Sequence, residues 1–174
     1  MQTRYISTTE TAKIIRQELA KAFPGIKFSV KSKSYSGGSS VSVGWTDGPT
    51  PKMVEKVAGQ FSGASFDPMI DLKSHHDSEW NGEVVSFGPD YVNCNRSHSD
   101  EFLQKVAVKT AKEWGFPVPT IARDTESKIH RLYDYWSTDG MNARPGGGSF
   151  SIKELIYKSA RKTFFHNGLR CIEK

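Results

Sequence analysis

Ile26-Lys-Phe-Ser-Val-Lys-Ser-Lys33, Ser34-Tyr-Ser-Gly-Gly-Ser39 and Ser40-Val-Ser-Val-Gly-Trp-Thr-Asp-Gly-Pro-Thr50 run on from one another, and this stretch decides the fold. Apolar and polar residues alternate on both sides of Gly37-Gly38, the pattern of a β-hairpin with one buried and one wet face. Ile26, Phe28, Val30, Val41, Val43 and Trp45 line the expected buried face. Lys27, Ser29, Lys31, Ser40, Ser42 and Thr46 line the other, with Lys33 near the turn. The connection Ser34 to Ser39 reads as a loop longer than two residues, and its serines and glycines make it mobile. Tyr35 at this tip is a candidate contact residue.

Working outward, the chain of 174 residues suits one domain, or one compact domain with an extension. A chain of this size buries a sizeable core without disulfides or metals. The 36% hydrophobic content and four tryptophans argue against disorder. No run reaches the roughly 20 apolar residues of a membrane helix, and the first residues lack a signal-peptide core. A cytoplasmic protein is expected, with Cys94 and Cys171 as reduced thiols.

Net charge is +5, unevenly spread. Residues 1–98 hold 11 Lys/Arg against 10 Asp/Glu, whereas residues 151–174 hold 6 against 2. A basic C-terminal segment fits an acidic partner or a solvated helix face.

Ser7-Thr8-Thr9-Glu10 opens a first helix through Ala12, Ile15, Leu19 and Ala22, stopped by Pro24-Gly25. Thr50-Pro51 starts a second, with Met53, Val54, Val57, Ala58 and Phe61 on its apolar face. Residues 62–83 form an acidic, His-containing segment. Val84 to Gly88 and Tyr91 to Asn95 read as two short strands about the Gly88-Pro89-Asp90 turn. A third helix follows Ser99 and ends at Gly115, and a fourth is expected from Thr125 through Ile129, Leu132, Tyr133 and Trp136. Residues 137–149 read as a flexible linker, and Ser151 caps a last helix through Phe164, closed by His166-Asn167-Gly168.

The order α-β-β-α-β-β-α, plus C-terminal helices, predicts an α+β fold. Its mostly antiparallel sheet is built from two hairpins with helices packed on it. Residues 1–120 form the α+β domain and residues 121–174 a helical C-terminal extension. The last 50 or so residues show no second core, so these helices are expected to dock on the first domain or on a partner.

Four constellations invite chemistry. Asp71, His75, His76 and Asp77, with Glu79 nearby, offer imidazole and carboxylate ligands, but adjacent histidines diverge and no zinc signature is matched. Cys94 and His98 could pair as nucleophile and base, although a strand cysteine is ordinarily a small core residue. Arg144-Pro-Gly-Gly-Gly-Ser149 precedes a helix, yet lacks the lysine and threonine of a phosphate loop. The remaining candidates are surfaces. Lys27, Lys31, Lys33 and Tyr35 form one basic patch; Lys158, Arg161 and Lys162, with Lys153 and Arg170, form another. Either could touch phosphates, and strand lysines also block edge aggregation.

Tyr5 to Lys13, Ala22 to Val30, Tyr35 to Gly38, Val43 to Thr50, Phe61 to Asp67, Met69 to Leu72 and Phe87 to Arg96 together resemble a large polyvalent protein-associated domain, over roughly residues 4–120. Such domains occur in proteins of phages and conjugative elements, often beside enzymes acting on DNA or on host defences. The resemblance brings no catalytic residue and no cofactor. It implies a non-enzymatic phage or plasmid accessory protein that binds a host or defence-system protein or ribonucleoprotein, of anti-CRISPR or anti-restriction type. Nucleic-acid binding by the two basic patches is the second expectation. A metal-dependent nuclease or hydrolase using Asp71, His75, His76 and Asp77 is the third.

Overall fold

The computed structural model describes residues 3–67, 69, 72–123, 130–132, 151–166 and 169–172. The chain divides into two compact units, Met1–Ser97 and His98–Lys174.

In the first unit, strand β1 (Arg4–Ile6) leads into helix α1 (Thr8–Ala22). Ser7 is the helix cap. Its side chain accepts from the Glu10 amide, while the Glu10 carboxylate accepts the Ser7 amide at 3.0 Å, closing a capping box. Strands β2 (Ser29–Tyr35) and β3 (Gly38–Thr46) form the expected hairpin, with Val30 opposite Val43 and Lys31 opposite Ser42. Val30, Val41, Val43 and Trp45 are buried, as the alternation requires, and Ile26 and Phe28 pack against them. The tip is tighter than the sequence suggested. Pairing continues to Tyr35 opposite Gly38, leaving only Ser36 and Gly37 in the loop. Gly37 takes a φ of 87°, which glycine adopts without steric cost.

Helix α2 (Pro51–Ala58) starts as read, with Met53 N–H donating to Thr50 Oγ1, and runs into a short 3-10 turn ending at Phe61. Next come β4 (Ala64–Asp67) and β5 (Leu72–His75), an antiparallel pair where the sequence showed only an acidic segment. Strands β6 (Ser78–Trp80), β7 (Glu83–Phe87) and β8 (Tyr91–Ser97) complete the unit.

The α+β class holds, but the second hairpin is built differently. β7 and β8 do not pair with each other. β7 sits between β1, parallel, and β6, antiparallel. β8 joins β3 in parallel, giving a mixed sheet in the order β2-β3-β8. Gly88-Pro89-Asp90 therefore carries the chain from one sheet to another. Helices α1 and α2 pack on the Val30, Val41, Val43 face. Phe61 lies at the centre of this core, edge-on to Trp80 at 5.0 Å and to Phe87 at 5.3 Å.

The second unit has a core of its own, in which the last helix packs on a helix from within residues 1–120. Helix α3 (Asp100–Trp114), grouped by the sequence with residues 1–120, belongs here. It is capped by Ser99 and ended by left-handed Gly115. Its Phe102, Leu103, Val106 and Ala107 pack with Ile121 and with Ile152, Ile156 and Ala160 of helix α4 (Ile152–Lys162). Strand β9 (Ile121–Arg123) pairs with β10 (His130–Leu132). The expected fourth helix is thus a strand at His130–Leu132, and its remaining positions lie outside the described residues. So does the 137–149 linker. The last helix stops at Lys162 rather than reaching Phe164, because Thr163 turns extended (φ −104°, ψ 136°). The β-branched and aromatic run Thr163-Phe164-Phe165 favours a strand, and β11 (Thr163–His166) pairs with β12 (Leu169–Ile172).

Candidate functional site: the open face of the central sheet

With α1 and α2 on one side of the β2-β3-β8 sheet, the alternate residues of the three strands form a second face. The register sets out its rows. Lys33, Ser40 and Tyr91 align, then Lys31, Ser42 and Asn93, then Ser29, Gly44 and Asn95. Tyr35 lies one row further toward the tip, opposite Gly38. Lys31, Lys33, Ser42, Asn93 and Asn95 are exposed, as are Tyr35 (45%) and Tyr91 (36%). No aspartate or glutamate occurs anywhere in the three strands. The face is therefore polar, positively charged and aromatic at its tip end.

That end is fastened by Asp90. Its buried carboxylate accepts the Ser39 amide at 3.0 Å and pairs with the Lys73 ammonium at 2.7 Å. Asp90 N–H returns a bond to Ser39 C=O at 2.9 Å. Ser39 Oγ donates to Gly88 C=O and shares a hydrogen with Thr8 Oγ1 at 2.7 Å. Ser62 Oγ donates to Asp90 C=O at 2.7 Å. Burial pushes the Asp90 pKa up, but the Lys73 ammonium and the Ser39 amide together hold it below the ordinary carboxylate value. The same hydrogen bond raises the Lys73 pKa.

At the opposite end, Arg96 lies on the helix-covered side, aligned with Trp45. Its Nε–H donates to Asp47 C=O at 3.1 Å. Burial pulls the guanidinium down to about 10, against the attraction of Asp47. A shallow groove of about 600 Å³ runs along Gly25 to Ser29, Gly44 to Thr46 and Ser97.

The sequence-derived patch Lys27, Lys31, Lys33 and Tyr35 falls along one edge of this face, Lys27 exposed just before β2. Lys158, Arg161 and Lys162 are exposed on α4, in the second unit, at a spacing that shares one helix side. Arg161 and Lys162 fall in the last helical turn, where cations complement the helix dipole. The side chain of Arg170 lies outside the described residues, and Lys153 is partly buried.

His75, His76 and Asp77 are exposed, and Asp71 lies outside the described residues. Among the described residues, no group of three His, Cys, Asp or Glu could hold a metal ion. Cys94 is a free thiol, pushed up to about 11 by burial and by Glu55, which opposes formation of a nucleophilic thiolate. His98 stacks on Phe102 at 5.1 Å. Among the described residues, no helix is long and apolar enough to cross a membrane.

Sequence reasoning missed Tyr91, Asn93, Asn95 and Gly44. Their signal was present, since polar Tyr91, Asn93 and Asn95 alternate with Val92 and Cys94. What was hidden was the parallel seating of β8 beside β3.

Residues 6–99 match the family model of large polyvalent protein associated domain 29, which covers more than half of the chain. The chain belongs to this family. The match spans the whole open-faced sheet and ends two residues beyond the first unit. Membership agrees with a protein of a phage or other mobile element. No curated protein and no solved structure matches the chain.

Proposed function

We propose that this chain is a non-enzymatic accessory protein of a phage or plasmid that works by occupying a component of the host or of its defences. A protein or ribonucleoprotein of counter-defence interest, of the kind targeted in anti-CRISPR or anti-restriction activity, is the intended partner. The observation that carries the reading is the open face itself. It is a three-stranded surface without acidic residues, with exposed tyrosines and lysines, fastened at its tip end by the Asp90 clamp. Rigid, pre-organised surfaces bind with little ordering cost. Tyrosine is among the residues enriched at interaction hot spots.

The basic charge of the same face favours a second reading, direct nucleic-acid binding, in which β2 lysines meet phosphates. Lys158, Arg161 and Lys162 would add to it.

The experiment is affinity capture with the full chain from host lysates that contain defence complexes. The expected result is a defined partner recovered by the wild-type chain and lost with Lys31→Glu/Lys33→Glu. Repeated recovery of nothing, or equal recovery by the folded variant, overturns the assignment of this face.

A further inference from the structure

We infer that the open face of β2-β3-β8 takes single-stranded nucleic acid, with phosphates along Lys31 and Lys33 and bases over Tyr91, Tyr35 and the bare strand at Gly44. The inference deepens the binding reading above and rests on it.

Three observations converge on this occupant. The first is charge. All acidic side chains are absent from the three strands, while Lys31 and Lys33 stand on alternate positions of β2 and Lys27 continues the edge. Such a row suits a polyanion. The second is the exposed tyrosines, which offer π-faces to unpaired bases; a duplex keeps its bases stacked and cannot use them. Ser40, Ser42, Asn93 and Asn95 lie among these residues with short donor and acceptor groups for base edges.

The third observation is Gly44. It occupies the central strand, where glycine weakens a sheet. Its φ is not positive, so no backbone conformation calls for it. A methyl there would approach only Ser29 O at 3.9 Å and Asn95 O at 4.0 Å, which is ordinary contact. Packing thus leaves Gly44 without a structural reason, and Gly44 lines the shallow groove it shares with Ser29 and Ser97. A flat base can lie directly on such a backbone.

The test uses the full chain and fluorescently labelled oligonucleotides of about 12 nucleotides. Mixed-sequence single-stranded DNA, single-stranded RNA and duplex DNA are titrated by anisotropy from about 50 mM to about 200 mM salt. Single strands should bind more tightly than the duplex, the DNA and RNA arms deciding which sugar is preferred. Lys31→Glu/Lys33→Glu should lower the salt slope by about 1.4. Tyr91→Ala should weaken binding about tenfold and leave the slope in place. Gly44→Val should weaken binding while the urea midpoint holds or rises. Equal binding of duplex and single strands, or Tyr91→Ala and Gly44→Val variants that bind like wild type, overturns the inference. So does the absence of binding at low salt. In that last case a partner captured from lysate still stands, and it is then a protein held through the same face.

Discussion

Lys73 Nζ lies 2.7 Å from Asp90 Oδ2, and this one ion pair ties the β4-β5 hairpin to the tip of the β2-β3 hairpin. The ammonium also points to Gly37 C=O at 3.4 Å. Two hairpins that share no strand pairing are thereby joined through a buried carboxylate. Removing that carboxylate would leave the Ser39 amide without its acceptor. Asp90→Ala should destabilise the protein by about 2 kcal/mol, since a buried donor loses a charged partner. Urea unfolding read by tryptophan fluorescence measures it, and an unchanged midpoint would show the clamp to be decorative.

The clamp also fixes an acid response. The Asp90 pKa is lower in the folded chain than in the unfolded one. Its contribution is therefore complete above the unfolded value of about 3.9 and is lost as pH falls through the folded value. The Lys73 pKa is raised, so its contribution holds below about 10.4 and is lost as pH climbs through the folded value. Stability measured from neutral to acid pH should fall more steeply in wild type than in Asp90→Asn. Parallel curves would contradict this.

Gly63 and Gly38 are held by contact rather than by turn conformation. A methyl on Gly63 would overlap Phe87 C=O, and one on Gly38 would overlap Asp90 Oδ2. A backbone carbonyl cannot step aside as a side chain can. Gly63→Ala should therefore cost more than Gly38→Ala, both within about 1–3 kcal/mol. Gly44→Ala, by contrast, should be neutral, and thermal melts of the three variants measure the order.

Cys94 should be slow to alkylate. Its thiol is pushed up to about 11, so little thiolate exists near neutrality. In a Cys171→Ser background, iodoacetamide should label the native protein far more slowly than the urea-unfolded protein at about pH 8. Equal rates would show the site to be open.

The aromatic centre gives the largest expected loss. Phe61 is fully buried and meets both Trp80 and Phe87 edge-on. Phe61→Ala should cost about 3–5 kcal/mol in denaturant titrations. A loss below that range would mean that the neighbouring rings collapse into the space.

Local patterns carried most of what the sequence revealed. The Val30, Val41, Val43 and Trp45 alternation and the Ser7, Thr50, Ser99 and Ser151 caps are written in neighbouring residues, and each is found in place. Non-local pairings left no such trace. A hairpin announces itself by its turn, whereas the parallel β3-β8 ladder joins Ser40 to Tyr91 with no linking signature. The acidic segment misled because Asp67, Asp71 and Asp77 masked the β4-β5 pairing beneath. At the site, the lysines and Tyr35 were legible from the hairpin alone. Gly44 and Asn95 became part of the same surface only once β8 was seated. Asp90 read as a turn residue, since nothing near it names Ser39 or Lys73 as its partners.

The parallel seating of β8 also bears on how the chain is made. Ser40 meets a partner about fifty positions later, so during translation the β2-β3 hairpin emerges well before its third strand. At about 5–20 residues per second, β3 waits on the order of seconds with one edge unsatisfied. Through that interval the strand is short of a neighbour, and its apolar Val41 and Val43 are within reach of other nascent chains. The lysines stand on β2, along the opposite side of β3, and give no shelter there. Chaperone dependence, or rescue of yield by slowed initiation, would be the cellular mark of a sheet whose last strand arrives late.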